Sequence, residues 1–143
     1  MRRVAGRRLD AAMTRHANHM TSVSALLGAA VSDAEGRTVG HVRELAVSPL
    51  VDANHVCGFV VKMLGDGRST KPSLLPVVSS EWGAGEGLRI RARSALTPMP
   101  DGDAYLLLDR DVLDQQIIDV HGHKVVRVND VDLVWEAAPA TAT

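Results

Sequence analysis

The chain carries one sequence pattern twice, at a fixed offset of 86 residues, as from Leu27 to Leu113. We call residues 27–44 the first hairpin segment and residues 113–130 the second hairpin segment. The matched positions, identical or chemically alike, are Leu27/Leu113, Val31/Ile117, Asp33/Asp119, Gly36/Gly122, Val39/Val125, Val42/Val128 and Glu44/Asp130. Each segment predicts a strand, a tight Asp-x-x-Gly turn, a return strand with buried valines, and an acidic residue at its end. The pattern therefore predicts two hairpins of one kind.

Four residues are assigned to the two predicted turns. Glycine takes the positive φ that a tight turn requires, and an aspartate opens each Asp-x-x-Gly turn. These turn residues are Asp33, Gly36, Asp119 and Gly122.

The remaining strands are predicted from alternation and from turn signals. Residues 38–47 predict one strand with a bulge near Gly40, and residues 55–62 predict a second long strand. Residues 73–80 predict an edge strand or a strand that is interrupted by Pro76. Residues 88–93 alternate strictly and predict an antiparallel strand. Short strands with turns between them favour an all-β fold, a small barrel or sandwich, over a βαβ fold.

Composition and charge argue against nucleic acid as a partner. Only 3% of the residues are aromatic, so recognition by base stacking has little to use. The 16 basic and 17 acidic residues are unevenly placed, because residues 1–20 hold five arginines and one aspartate. The rest of the chain is acidic and is expected to repel a phosphate backbone.

The hairpin pattern resembles the opening hairpin of the PRC-barrel domain, a small β-barrel also found in the ribosome maturation factor RimM. Residues 106–131 resemble more specifically the region before the MgtE N domain in bacterial magnesium-transporter-related proteins. The resemblance covers about residues 23–135. It implies a small PRC-type β-barrel with a second, partial repeat of the same hairpin unit, and a partner related to magnesium transport.

The expected organisation has five parts. A basic, disordered leader comprises residues 1–22, and the first PRC-barrel-like repeat comprises residues 23–95. A linker at residues 96–103 leads to the partial second repeat at residues 104–136, where Asp109 is a candidate cap for one helical turn. Residues 137–143 are expected to form a disordered tail.

Few residues suggest catalytic or metal chemistry. His121 and His123 with Asp119 form the main His-rich cluster, but the turn at Gly122 breaks the geometry of a strand-borne metal site. A solvated hairpin tip is the favoured interpretation. Cys57 lies in an apolar run, which predicts a buried thiol rather than a nucleophile. We therefore expect no enzyme activity, no cofactor and no metal.

The functional prediction is a non-catalytic protein-interaction or adaptor module in the cytoplasm, without direct membrane insertion. The truncated second repeat leaves strand edges that the first repeat or another chain must cover, so a homodimer or a transporter-related protein partner is expected. The alternative is a RimM-like ribosome or RNA-processing accessory protein. It would use an interaction stripe of three arginines, namely Arg89, Arg91 and Arg93.

Overall fold

The computed structural model describes residues 2–4, 20–65, 71–83, 87–119, 121–122 and 124–136. Strands dominate this part of the chain and helical turns are few, so the predicted all-β class is confirmed. Parts of the expected leader form strands, and the rest of it, residues 5–19, lies outside the described residues, as does the tail at residues 137–143.

Thirteen strands are described, joined by four short helical turns. The strands are β1 (Arg2–Val4), β2 (Met20–Ser22), β3 (Ala30–Ser32), β4 (Thr38–Val47), β5 (Gly58–Met63), β6 (Ser73–Pro76), β7 (Ser80–Gly83), β8 (Gly87–Ile90), β9 (Thr97–Pro98), β10 (Leu106–Leu107), β11 (Gln116–Asp119), β12 (Lys124–Arg127) and β13 (Asp132–Val134). The turns are α1 (Val23–Leu26), two 3₁₀ turns (Val77–Ser79 and Arg93–Ala95) and a π turn (Leu108–Val112).

The largest sheet is organised around β4. Its strand order is β7-β8-β3-β4-β5-β6-β9, and β10 also pairs with β4. One edge of β4 is shared by β3 and β10, and the other edge carries β5. The predicted strand at 38–47 is present, and its predicted bulge near Gly40 is confirmed against β3, where Val31 lies opposite Gly40 and Ser32 opposite Thr38. A second irregularity, against β5, lies between Val42 and Glu44. Bulges bend strands in general, and β4 pairs with both β3 and β10 along one edge.

The expected small PRC-type β-barrel is not closed among the described residues. Within the part of the chain that the structure describes, the sheet ends at β7 and β9, and these two strands do not pair with each other. The strand predicted at 88–93 is also shorter and differently paired. It ends at Ile90 and runs parallel to β3, while its other edge is antiparallel to β7.

Two smaller sheets complete the fold. The first has the order β1-β13-β2, and the second is the two-stranded β11-β12 hairpin. Both neighbours of β13 come from the segment expected to be a disordered leader. The C-terminal strand β13 is therefore covered on both edges by this chain itself.

The two hairpin segments make the same backbone hydrogen bonds at their bases. In the first, the Gly28 amide donates to Val42 and the Val42 amide donates to Ala29, over 2.8 and 2.9 Å. In the second, the residues 86 positions later, Asp114, Val128 and Gln115, make the same pair of bonds at the same distances.

The same two bases share an unusual backbone conformation. Gly28 has a φ of 83° and Asp114 has a φ of 62°. Asp114 is the one described non-glycine residue with positive φ. Aspartate tolerates this region better than most residues, because its short polar side chain bonds locally.

The segments also exchange strands. β10, which precedes the second hairpin segment, pairs with β4 of the first, with Leu106 opposite Val47. β2, which precedes the first, pairs with β13 after the second, with Thr21 opposite Leu133. Each segment thus completes its sheet with the strand that precedes the other.

We call residues 20–98 the first half of the fold and residues 106–135 the second half. The π turn accounts for a change in the sequence offset between matched residues of the two halves. Matched strand residues before the turn, such as Thr21 and Leu106, lie 85 positions apart, whereas Leu27 and Leu113 lie 86 apart. In the first half the Leu27 amide donates to Val23, four residues back; in the second, the Leu113 amide donates to Leu108, five back. The wider turn absorbs one additional residue without moving either strand.

Two carboxylates fasten each half to the other. Glu44 accepts hydrogen bonds from the amides of Asp109 and Arg110 at 2.9 and 2.8 Å, at the start of the π turn. Asp130 accepts from the amide of Ser24 at 3.2 Å, in the first turn of α1. Amides at the start of a helical turn lack intrahelical acceptors, so these carboxylates satisfy them. The prediction that Asp109 caps its own turn is wrong, because Glu44 takes that role.

The core is aliphatic with one aromatic stack. Valine and leucine from both halves form the main buried cluster. Trp135, just after β13, lies between Phe59 and Trp82, with ring centroids 6.0 and 5.8 Å apart. Stacked rings at this distance add to the energy of burial, so Trp135 anchors the C-terminal end of the described chain against β5 and β7.

Replacing Asp130 with alanine should destabilise the fold in a pH-dependent way. Burial raises the pKa of this carboxyl, but hydrogen bonds from Ser24 and Val131 outweigh it and hold the pKa below its ordinary value of 3.8. A lowered folded-state pKa stabilises the fold above the unfolded-state pKa, and this contribution is lost as the pH falls through the folded-state value. We expect a cost of about 1 kcal/mol at neutral pH, from the size of cap contributions, that shrinks below pH 3.8.

The free energy of unfolding of wild type and of Asp130→Ala is measured in urea from neutral pH to below pH 3.8. Asp103→Asn is the matched control, because its side chain is 99% exposed and its contact to Arg110 is long, at 3.9 Å. A gap between wild type and Asp130→Ala that stays constant to the lowest pH would contradict the assignment.

Candidate interaction surface

The β11-β12 hairpin carries a cluster of exposed apolar side chains, and we call residues 116–127 the apolar ribbon. Ile117 is 56% exposed, Ile118 69%, Val125 61% and Val126 54%. Among the described residues, β11 and β12 pair only with each other. A two-stranded hairpin with this much exposed apolar surface is marginal in water on its own.

The register places apolar residues on both faces of the ribbon. Ile117 lies opposite Val126, and Ile118 lies opposite Val125. Adjacent residues of a strand point to opposite faces, so the Ile117–Val126 pair lies on one face of the ribbon and the Ile118–Val125 pair on the other. A strand that packs one face on its own core normally alternates apolar and polar residues. The ribbon therefore exposes apolar side chains on both faces.

The matching hairpin of the first segment is covered. Val31, which corresponds to Ile117, is fully buried. Its strand β3 carries β8 on the outer edge, and the partner strand β4 carries β5. The second segment has no described counterpart of β5 or β8 beside the ribbon, so Ile117 stays exposed where Val31 is buried.

One residue difference between the two hairpin segments changes how closely another strand can lie against the ribbon. Gly40 in β4 lies so close to β5 that a Cβ atom built on it would be 2.6 Å from the carbonyl oxygen of Lys62. The corresponding residue in the ribbon is Val126. A valine side chain does not fit that approach, so a strand cannot lie against β12 as β5 lies against β4.

The predicted turn residues of the first segment lie in the turn between β3 and β4. The Asp33 carboxylate accepts from the amides of Arg37 and Glu35, at 2.9 and 3.0 Å, and Gly36 has a φ of 83°. The Arg37 amide bond is the largest cause of a lowered pKa at Asp33, and the Glu35 amide adds to it. In the second segment, Gly122 lies in the turn that follows β11.

The candidate metal cluster is only partly described. His121 lies exposed in the ribbon turn, whereas His123 and the side chain of Asp119 lie outside the described residues. Across the described ranges, no group of three or more His, Cys, Asp or Glu side chains is placed to hold a metal ion.

The three arginines do not share one strand face. Arg89 lies within β8 and is exposed, but Arg91 follows the strand and Arg93 begins a 3₁₀ turn. The Arg91 guanidinium pairs with Glu81 of β7 at 3.1 Å. The stripe predicted from alternation is thus interrupted after Ile90, and the Glu81 carboxylate balances the charge of Arg91.

The expectation of a buried Cys57 is wrong. The residue is exposed, and its thiol donates to the carbonyl oxygen of Ala46 at 3.3 Å. Partial burial of the sulfur still raises its pKa, which disfavours the reactive thiolate. Cys57 directly precedes β5, and its backbone amide donates to the carbonyl oxygen of Ala46 at 2.9 Å, so the residue lies at the end of the strand with its side chain exposed.

Sequence reasoning identified the second segment as incomplete but did not single out the four apolar residues. A signal was present, because each ribbon strand places two β-branched residues side by side, Ile117-Ile118 and Val125-Val126. Neighbouring apolar residues on one strand put apolar surface on both faces. Sequence reasoning also missed the pair His55 and Asp52, whose Nδ1 and Oδ2 atoms are 2.6 Å apart.

The different surroundings of Gly40 and Val126 predict that alanine at position 40 destabilises the fold much more than alanine at position 126. Gly40→Ala should destabilise the fold by about 1–3 kcal/mol or more, the usual cost of overpacking, because the new methyl meets the backbone of Lys62. Val126→Ala should change the free energy of unfolding by less than about 0.5 kcal/mol, as is usual at the surface. Urea unfolding of the two variants tests this, and equal effects would contradict the described packing.

No described helix has the length and apolar character needed to cross a bilayer. Comparisons of the chain with protein-family models, with curated proteins and with solved structures find no match.

Proposed function

We propose that this protein is a non-catalytic protein-interaction module of the PRC-barrel type, and that the apolar ribbon is its interaction surface. The observation that supports the proposal most directly is the exposure of Ile117, Ile118, Val125 and Val126 on two faces of one hairpin. Contiguous exposed apolar residues mark interaction sites, whereas single ones are normal on any surface.

The correspondence of the two hairpin segments supports the idea of a duplicated unit. The paired bonds at Gly28 and Asp114, and the exchanged strands β2 and β10, are what two copies of one unit would make. In the first unit the hairpin is covered by strands of the same chain. In the second, another polypeptide covers the apolar residues of the hairpin.

The arginine-based alternative has weaker support. An RNA contact through Arg89, Arg91 and Arg93 needs a continuous basic stripe, but Arg91 pairs with Glu81 and Arg93 lies beyond the strand. The acidic balance of residues 21–143 adds to this argument. The cytoplasmic location and the magnesium-transporter partner stay predictions from the sequence.

Site-specific photo-crosslinking tests the proposal. A photoreactive residue replaces Ile118 in the ribbon or Val78, which is 83% exposed and lies outside it. In cells that produce the protein natively, we expect discrete adducts with a polypeptide at Ile118 and none at Val78. The contact should be lost when Val125→Lys is added to the chain with the Ile118 probe, because Val125 lies opposite Ile118 on the same face and a charge then enters the apolar contact.

Two outcomes would contradict the proposed function. One is the same adduct pattern at Ile118 and Val78, which would indicate non-specific collision. The other is no protein adduct at Ile118 when the same probe reacts with solvent and the chain remains folded.

A further inference from the structure

The outer edge of β11 is the counterpart of an edge that is occupied in the first segment. β11 pairs with β12 on one side, and within the described residues no strand pairs with its other side. The matching strand, β3, carries β8 on that same side. An open edge is a row of backbone donors and acceptors that can pair with a further strand. The occupied edge of β3 is therefore a guide to the strand that fits the open edge of β11.

β8 lies along β3 as a parallel strand. Val31 is opposite Leu88, and both side chains are fully buried. Val31 corresponds to Ile117 of β11, which is 56% exposed. A parallel strand in the same place beside β11 would cover Ile117 with an apolar residue.

A glycine allows β8 to come close to β3. Gly87 begins β8 with a φ of 83°, and a Cβ atom built on it would lie 2.6 Å from the carbonyl oxygen of Ala30. A side chain at that position would therefore collide with backbone. Ala30 corresponds to Gln116, the first residue of β11. A strand that approaches β11 as β8 approaches β3 thus begins with glycine.

The next position along the edge differs between the two segments. The Ser32 hydroxyl donates to the carbonyl oxygen of Leu88 at 3.5 Å, and the exposed Arg89 lies opposite Ser32. The counterpart of Ser32 in β11 is Ile118, which is apolar and 69% exposed. An apolar residue opposite Ile118 would bury both side chains. A strand suited to β11 therefore has two apolar residues in succession after its glycine.

In the first segment a positive charge follows the occupying strand. Arg93 lies three residues after the end of β8. The pKa of Asp33, directly after β3, is lowered chiefly by the hydrogen bond from the Arg37 amide, and the charge of Arg93 contributes. The aspartate at the end of the β3 edge thus lies near an arginine of the chain that covers the edge.

The edge of β11 is acidic at both ends. Asp119, the counterpart of Asp33, ends the strand, and the exposed Asp114 stands where the first segment has Gly28. The run between Asp114 and Asp119 contains no basic residue, and Lys124 lies opposite Asp119 on the other strand of the hairpin. A strand with net positive charge therefore complements this edge.

We propose that β11 accepts a parallel strand from another polypeptide, in the register in which β3 accepts β8, and that this strand has a glycine, two apolar residues and then basic residues. This inference rests on the proposed interaction function of the ribbon, and it names the edge that is used and the chemistry of the partner segment. The β12 edge is not the acceptor, because Val126 stands where Gly40 admits β5 in the first segment.

A synthetic peptide tests the pairing. It has the sequence of residues 87–93 with Arg89→Val, so it keeps the glycine and the later arginines of the strand beside β3 and has two apolar residues after the glycine. When the peptide is added to the isotopically labelled full chain, the amide resonances of Gln116–Asp119 should shift saturably, and those of β5 should stay unchanged.

Matched changes in the peptide and in the chain test the chemistry. Gly87→Val in the peptide should weaken binding about tenfold or more, because the new side chain would meet the backbone of Gln116 as it would meet that of Ala30. Ile118→Lys in the chain should weaken binding similarly, because it brings a charge into the apolar contact. Val78→Lys is the control, since Val78 is 83% exposed and lies outside the ribbon. Circular dichroism checks that both chains keep the fold.

A spin label on the peptide reports its direction. A label at the N-terminus should broaden the amide resonance of Gln116 more than that of Asp119, and a label at the C-terminus should do the reverse. An antiparallel pattern or shifts centred outside β11 would overturn the inference. So would equal binding of the Gly87→Val peptide, or no saturable shift with the unmodified wild-type chain.

Failure of this inference is distinguishable from failure of the proposed function. If the Ile118 photo-probe captures a polypeptide, with the capture lost on Val125→Lys, while the peptide does not bind β11, the strand pairing is refuted and the interaction module is kept. If the Ile118 probe captures no polypeptide, the proposed function itself is refuted.

Discussion

The structure depends on two carboxylates that cross between its halves. Glu44 binds amides at the start of the π turn, and Asp130 binds an amide of α1. Each also accepts from the amide of the residue that follows it, Leu45 or Val131. Each half therefore presents free amides that only the other half satisfies, so neither half is complete alone.

This reciprocity explains why the strand exchange is maintained. Glu44 binds the π turn, and β10, directly before that turn, pairs with β4. Asp130 binds α1, and β2, directly before α1, pairs with β13. The halves differ by one residue in the turn, which the wider π turn absorbs. The extra residue lies in a helical turn, which can widen to hold it. In a strand, the same extra residue would shift the register and move every following side chain to the other face of the sheet.

The proposed interaction surface lies where the two halves stop being equivalent. Val31 and Ile117 occupy matching positions, yet one is fully buried and the other is 56% exposed. The first half has β5 and β8 to cover its hairpin, whereas the second offers its hairpin to solvent. The contrast between Gly40 and Val126 makes the two hairpins unequal as acceptors, so the second is suited to a different occupant rather than to a copy of β5.

Local chemistry was readable from the residues, and relations between distant residues were not. Period-two alternation, turn chemistry and the 86-residue offset determined the all-β class, the strand at 38–47 and the turn at Asp33 and Gly36. Such signals act within a few residues and need no knowledge of the rest of the fold. The tertiary structure alone decided the capping by Glu44, the exposure of Cys57, the open sheet and the two-faced exposure of the ribbon. Each of these depends on which strands meet across long separations, as between Ser24 and Asp130, 106 positions apart.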